Sequence, residues 1–412
     1  MIGYIEKCQI CEHSPLTMVL NLGHHTPVHV RITKELLHQP ETTYPLNLVL
    51  CENCGLSQLD YIGDPKVIFP LEYPYQTGMT NMLIRNFKQL ADELEPKYGL
   101  KPNDLIVDIG SNDGTLLQPF KDKGMRVLGI EPTNVAQIAN KNGITTIQEY
   151  FTKDTAERAV KEYGKAKVVT LTNAFAHIFN LYEIIDGIKV ILDDDGIFVS
   201  ESQYLVDAIE KNAYDTIYHE HIRFYTLTAL QELFKRTGFS IVDAERITAA
   251  GGSIRVFAKI GESDMSDRAK EILENEKNIG ACTPKTLHEF AKKAINAKYG
   301  LNNLLSGLKL NGASIVTIGA PARGNSMLNF VKIDTDLIDY ACEKAGSPKI
   351  GLFTPGTHIP IVDEKKLFDE QPDYALMLSW HIGDELMKKL RELGYKGKFI
   401  LPLPEPRIVK EI

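Results

Sequence analysis

The sequence predicts an α/β protein in three blocks: a cysteine-rich N-terminal block, a central Rossmann-like domain and a smaller C-terminal α/β domain. Three observations lead there. Short β-branched runs alternate with amphipathic helical stretches between about Thr80 and Ile260, the pattern of a mainly parallel sheet covered on both faces. The alternation restarts after residue 310, and four of the six cysteines fall in the first 75 residues. A chain of 412 residues exceeds one ordinary core, and the expected domains are 1–75, 76–262 and 263–412.

The N-terminal block carries Cys8-x-x-Cys11 and Cys51-x-x-Cys54. Two such knuckles in a short, turn-rich block supply four thiolates to one tetrahedral zinc. A closed set of four leaves no open position for water, so the metal is expected to be structural. Cys282 and Cys342 lie far off in sequence and read as ordinary small apolar residues. The redox alternative, a thioredoxin-like motif, would occur once, at a helix start after a strand.

In the central block LIVDI (105–109), RVLGI (126–130), KVVTL (167–171) and GIFVS (196–200) read as strands. FSIVDAERI (239–247) and SIRVFAKI (253–260) read as a closing hairpin that puts one antiparallel strand at the sheet edge. In VDIGSNDGTLL (107–117) an apolar strand ends in Asp108 and Gly110, and Gly114 opens a helix. Gly110 permits the tight turn, and Gly114 lets backbone approach a ligand. Glu131 ends the next strand, where a carboxylate accepts hydrogen bonds from ribose hydroxyls. A nicotinamide dinucleotide is the competing reading; it prefers G-x-G-x-x-G, whereas the spacing here is G-x-x-x-G with an acid before it. That acid opposes a pyrophosphate and suits the cationic aminoacyl end of S-adenosylmethionine. Asn112 and Asn173 join the expected cofactor set, and Phe151, after the third strand, is expected to border the adenine.

YDTIYHEHIRFY (214–225) packs four aromatic residues, two histidines and a glutamate ahead of a helix. A histidine held in one tautomer is poised to act as a base. In the third block ASIVTIG (313–319), DYALMLSW (373–380) and FILPLP (399–404) read as strands. GAPARGN (319–325) places Arg323 and Asn325 at a strand-to-helix turn, where backbone donors and a guanidinium suit a diphosphate. The stretch from Asp264 to Leu310 reads as a charged helical link broken near Gly280.

The order of these segments resembles the zinc-containing sugar C-methyltransferases of deoxysugar biosynthesis. YPLNLVLCENCGLSQL (44–59), EYPYQTGMT (72–80), VDIGSNDGTLL, NAFAHI (173–178), YHEH (218–221), GAPARGN and LPLPEPRI (401–408) occur in that family's order, across essentially the whole chain. The resemblance implies a class I methyltransferase domain, His221 as base, and Tyr218, Glu220, His177 and Tyr75 around the sugar. It implies Glu201, Arg323, Asn325, His358 and His381 on the substrate side. The reaction implied is carbon methylation alpha to the ketone of a nucleoside-diphosphate 4-keto-6-deoxysugar, at C-3. O- or N-methylation of a small metabolite, and a non-catalytic protein binding S-adenosylmethionine and zinc, stand as alternatives. The chain departs from the family pattern at PVHV (27–30), at Arg323, which keeps the positive charge, and at Arg223 and His381, which bear on which sugar, nucleotide or carbon is accepted.

The net charge of −8 lacks the basic face of a nucleic-acid binder. No apolar run approaches the ~18 residues of a membrane span, and MIGYIEKCQI lacks the form of a signal peptide. A cytoplasmic enzyme is expected, with a nucleotide sugar as partner and its oligomeric state unread.

Overall fold

A computed structural model describes residues 2–68, 76–79 and 81–410. The N-terminal block contributes β1 (Thr17–His25), β2 (Tyr44–Leu50) and β3 (Ser57–Leu59), a short antiparallel meander. The central block begins with helix α1 (Asn81–Tyr98) and strands β4 (Leu105–Ile109), β5 (Arg126–Ile130), β6 (Thr146–Ile147) and β7 (Ala166–Thr172). Then come α2 (Leu181–Ile191), β8 (Leu192–Gln203), β9 (Arg223–Phe224), α3 (Leu227–Arg236), β10 (Phe239–Ile247) and β11 (Ser253–Ile260).

The central sheet runs β10-β11-β8-β7-β4-β5-β6. Its β4 to β8 are parallel, while β11 is antiparallel to both β8 and β10. The antiparallel strand therefore lies one place inside the edge, and β10 is the edge, a correction to the expected order. The reason is the Gly251–Gly252 turn: both have positive φ, and Gly252 packs so tightly on Asp207 that a Cβ would lie 2.2 Å from its Cγ. That turn sends the last strand back between β8 and β10. Val107, Val168, Val169 and Val199 are fully buried, as both-face coverage requires.

Strand β9 leaves the central sheet altogether. It pairs with β3, giving a four-stranded sheet in the order β9-β3-β2-β1. Buried Arg223 fixes the crossing by donating to the carbonyls of Ile178 (2.6 Å) and Phe179 (3.3 Å).

Helices α4 (Asp267–Ile279) and α5 (Pro284–Leu310) form the link, broken at Gly280 in a left-handed conformation. Buried Glu276 of α4 accepts from Tyr204 Oη (2.8 Å), Leu227 N (2.6 Å) and Thr228 N (2.8 Å), capping the start of α3. The last block holds β12 (Ile315–Ile318), α6 (Ala322–Val331), β13 (Ala341–Glu343), β14 (Ile361–Asp363), β15 (Tyr374–Met377), β16 (Lys398–Leu401) and β17 (Arg407–Ile408). Their order is β14-β13-β12-β15-β16-β17, parallel except for β17. Among the described residues, no helix is long and apolar enough to cross a membrane.

Candidate active site

The four cysteine sulfurs gather within 4.8 Å of one another. Cys8 and Cys54 Sγ are 3.4 Å apart, as are Cys11 and Cys51 Sγ. A tetrahedron of Zn–S bonds near 2.3 Å has edges of roughly 3.8 Å, so this donor set fits zinc. The backbone loops of each knuckle close through Glu12 N to Cys8 O (3.0 Å) and Gly55 N to Cys51 O (2.9 Å). Cys282, remote in sequence, packs here after all: a Cβ on Gly55 would lie 2.8 Å from its Sγ. It accompanies the metal site as a packing neighbour and lies outside the four-sulfur cluster.

At the carboxyl end of β4, Gly110 has φ +71° and donates to Ile130 O at 2.8 Å. Glu131 follows β5, with Oε2 accepting from Asn112 N (3.1 Å) and Oε1 accepting from Thr133 N (2.9 Å). Each oxygen retains a second lone pair, which suits a ribose diol. Asp108 is turned inward: Thr170 Oγ1 donates to it at 2.6 Å. Burial, then the neighbouring charge of Glu131, raises its carboxyl to about 7. Asn112 Oδ1 accepts from Thr77 N (2.9 Å) and Asp113 Oδ2 from Gly78 N (2.8 Å), so residues 76–79 lie over the glycine loop. Asn173, also at positive φ, follows β7, and its N–H donates to Glu201 O at 2.7 Å.

Two expectations for this end change. Gly114 makes room for Ile144, which a Cβ would meet at 3.0 Å, so its role is close packing. Phe151 is buried against Gly187 of α2 and belongs to the core, because an exposed phenyl there would forfeit that burial; exposed Tyr150 beside it takes the surface.

The YHEH segment divides between two tasks. His219 faces the zinc sheet, with Nε2 3.2 Å from Pro45 O and its ring edge-on to Tyr44. His221 faces the other way. Its Nδ1 donates to Thr216 O at 2.8 Å, which leaves Nε2 as the lone-pair nitrogen, 3.0 Å from Tyr218 Oη. The His177 ring lies 4.9 Å from that of His221. Burial lowers His221 to about 4, and burial with the neighbouring His221 and His29 holds His177 well below the usual histidine value. Both imidazoles are therefore neutral at pH 7. Glu220 meets His29 Nε2 at 3.1 Å.

Matches to known proteins bear directly on this constellation. Residues 8–69 match the family described as "Putative zinc binding domain", 75–244 "Methyltransferase domain", and 248–404 "C-methyltransferase C-terminal domain". C-methyltransferase NovU of Streptomyces niveus is 32% identical over 409 residues, covering 98% of this chain and 97% of that one. This chain belongs to that C-methyltransferase family. It is a methyltransferase dependent on S-adenosylmethionine, with a zinc-binding N-terminal block. Among solved structures, magnesium protoporphyrin IX methyltransferase of Synechocystis PCC 6803 with bound S-adenosylmethionine is 15% identical, covering 44% of this chain and 85% of that one at TM-score 0.33. An S-adenosylmethionine-dependent methyltransferase of Anabaena variabilis is 16% identical, covering 42% and 84% at TM-score 0.34. Likenesses that low carry no weight beside the topology itself.

In this C-methyltransferase the expected substrate-side residues do not all converge. Glu201 is fully buried, its carboxylate taken by Asn86 Nδ2 (2.9 Å) and Arg255 Nη2 (3.0 Å), because a buried carboxylate requires partners. It ties α1 to β11 and presents no oxygen to a ligand. Arg323 directs Nε (2.8 Å) and Nη2 (2.9 Å) to Asp215, which also accepts from Trp380 Nε1 at 2.8 Å. Its Nη1 lies against Gly251, beside His381. Asn325 is buried on α6, with Nδ2 3.4 Å from Val28 O. His358 pairs with Glu41. Tyr75 lies outside the described residues.

Sequence reasoning missed Asp215, the Thr216 carbonyl, His29 and Lys349. Asp215 left a signal, an acid inside an otherwise aromatic run, and His29 lies in PVHV (27–30), a marked departure from the family pattern. The others depend on chain segments that meet only in the folded protein.

Proposed function

We propose that the enzyme methylates the carbon alpha to the ketone of a nucleoside-diphosphate 4-keto-6-deoxysugar, with C-3 as the methylated carbon. The observation that carries this reading is the fixed tautomer of His221. A backbone carbonyl holds the Nδ1 proton, so Nε2 is a permanent acceptor with a tyrosine hydroxyl beside it. A carbon acid next to a ketone needs such a base, and its proton passes to Nε2 directly or through Tyr218. At about 4 this imidazole is unprotonated at neutral pH but a weak base, so the enolate oxygen needs a donor; the neutral N–H of neighbouring His177 is suited to that role. S-adenosylmethionine, when bound, supplies the electrophilic methyl. Glu131 and the Gly110 turn would hold its ribose and bring it to the edge shared with His177, whose segment follows β7.

On the sugar side, Glu220 and Tyr218 line the ring. Arg323 Nη1 and His381, with the amino end of α6, receive the diphosphate, Asp215 fixing the guanidinium rather than competing for it. In this reading the units divided near residues 75 and 262 carry metal, cofactor and sugar nucleotide respectively. The four gathered thiols suit the reducing cytoplasm.

Solvent deuterium exchange into the 4-keto sugar nucleotide, without methyl donor, tests the reading. Exchange is expected with the native enzyme and should vanish in His221→Asn while S-adenosylhomocysteine binding persists. A methoxy product without exchange would replace it with O-methylation.

A further inference from the structure

The turn that precedes the YHEH segment is gripped from the C-terminal block. Tyr214–Thr216 is a single turn of 3-10 helix, buried along its whole length. Arg323, Ser326 and Phe330 of α6 meet this turn and the residue after it, and their spacing puts them on one face of the helix. The Phe330 ring stands edge-on to Tyr214, with centroids 5.1 Å apart. Arg323 pairs with Asp215 through Nε and Nη2. Ser326 Oγ donates to Ile217 O at 2.6 Å.

Ser326 is the unexpected member of this face. A serine inside a helix commonly returns its hydroxyl to the carbonyl one turn back. This hydroxyl has one proton and directs it to a different block, at a place where Ser326 is 1% exposed and Ile217 2%. Ile217 stands between the two residues that touch the imidazole of His221. Thr216 O accepts from Nδ1 at 2.8 Å, and Tyr218 Oη lies 3.0 Å from Nε2. The peptide from Thr216 to Ile217 is fixed by Ile217 N, which donates to Tyr214 O at 3.0 Å. The peptide from Ile217 to Tyr218 is fixed by Ser326. Together these two planes set where the Thr216 carbonyl points and where the Tyr218 side chain departs.

We propose that Ser326 is a positioning residue for proton abstraction: its hydroxyl locks the Ile217–Tyr218 peptide, so that α6 of the C-terminal block holds both partners of the His221 ring in place. This rests on the reading of His221 as the base. Without the hydroxyl a buried carbonyl loses its donor, and the peptide gains by turning toward another. A turned peptide moves Tyr218 relative to Nε2, and misplacement on the order of 1 Å slows a reaction steeply. The same face carries Arg323, so the helix that the reading above gives to the diphosphate also aligns the base.

The test uses the zinc-loaded full-length enzyme and a nucleoside-diphosphate 4-keto-6-deoxysugar, the probe of the exchange experiment. Ser326→Ala removes the donor and Ser326→Thr keeps it. Ser326→Cys, with a weak donor of similar shape, gives the same reading should Ser326→Ala fail to fold. Rates are expressed per cofactor site, counted by titration with S-adenosylhomocysteine, and thermal midpoints are measured alongside. In Ser326→Ala, deuterium exchange and kcat should fall about tenfold to a hundredfold, with the sugar-nucleotide KM within about threefold of native. Ser326→Thr should recover most of the rate. Native exchange per site in folded Ser326→Ala, a rise in KM in place of the fall in kcat, or an equal loss in Ser326→Thr overturns the role given to Ser326. Full exchange in His221→Asn overturns the base first, native enzyme that neither exchanges nor methylates the sugar overturns the substrate reading first, and either takes this inference with it.

Discussion

In the central sheet the first strand, β4, runs between β5 and β7; in the C-terminal sheet β12 runs between β13 and β15. Each is a switch point, where successive connections leave in opposite directions and open a crevice at the strand ends. Each also has a positive-φ glycine just beyond the strand, Gly110 and Gly319. The two crevices differ in charge. The first presents Glu131, an acid that suits ribose hydroxyls, with Asp108 turned inward behind it. The second gathers Arg323 and His381, with half-buried Lys349 nearby, groups that suit phosphate. One topology thus carries two sets of side chains of opposite charge, set by the residues that follow the strand.

The largest expected effect separates the two crevices by way of the metal. Zinc binding supplies on the order of 10 kcal/mol or more in small zinc modules. Chelation should unfold the meander that β9 joins, and with it the His221 site, abolishing methyl transfer. S-adenosylhomocysteine binding at β4 and β5, followed by calorimetry, should weaken far less; equal loss of both would erase the distinction.

Next is the second crevice's own ion pair. Asp215→Asn leaves the Arg323 guanidinium buried without its counter-charge, which costs about 3–5 kcal/mol in such pairs. Urea denaturation should show that loss, while cofactor affinity holds. A change of under about 1 kcal/mol would mean that solvent already reaches the pair.

Glu131→Gln probes the first crevice and should weaken cofactor binding about tenfold to a hundredfold, with sugar-nucleotide binding intact.

The smallest effect concerns pH, and its sign differs between the crevices. His381, like His219 and His221, is lowered to about 4, and His25 and His29 to about 3, all chiefly by burial. The unfolded chain binds protons at these residues from about pH 6.5 downward, whereas the folded chain resists until about pH 4. They cost stability as pH falls through that window. Asp108, raised to about 7, does the reverse: its contribution is full at low pH and fades as pH rises from about 4 to 7. With six histidines lowered, His177 among them, against three acids raised by burial, Asp108, Asp60 and Glu201, melting temperatures should fall between pH 6.5 and 4. Asp108→Asn should steepen the fall by removing one opposing contribution; an unchanged slope would show that Asp108 stays ionised in the fold.

Local features carried most of what the sequence revealed. Cysteine spacing, the glycine turn after LIVDI and the break at Gly280 each reflect a few adjacent residues, and each stands in the structure. Contacts between distant segments did not read through. Glu201 looks like a free acid at a strand end until Asn86 and Arg255 arrive from elsewhere in the chain. Phe151 looks like a ligand wall until Gly187 of α2 opens a place for it. The place of β11 between β8 and β10 follows from packing around Gly252, which strand propensity does not encode. His29 lies in PVHV (27–30), marked in sequence only as a departure from the family pattern, and comes within 3.1 Å of Glu220 only when the zinc-bearing block folds against the YHEH segment.

The two-residue strand at Arg223 has a practical consequence for recombining such enzymes. Because the edge that completes the meander is lent by a segment far along the chain, an N-terminal module cut at residue 75 would arrive without its fourth strand. The recipient would bring one shaped for a different partner. A viable graft must carry residues 214–226 together with the zinc knuckles, so the transferable unit is discontinuous in sequence, and breakpoints chosen from sequence boundaries alone would yield chimaeras that bind the methyl donor yet fail to use it.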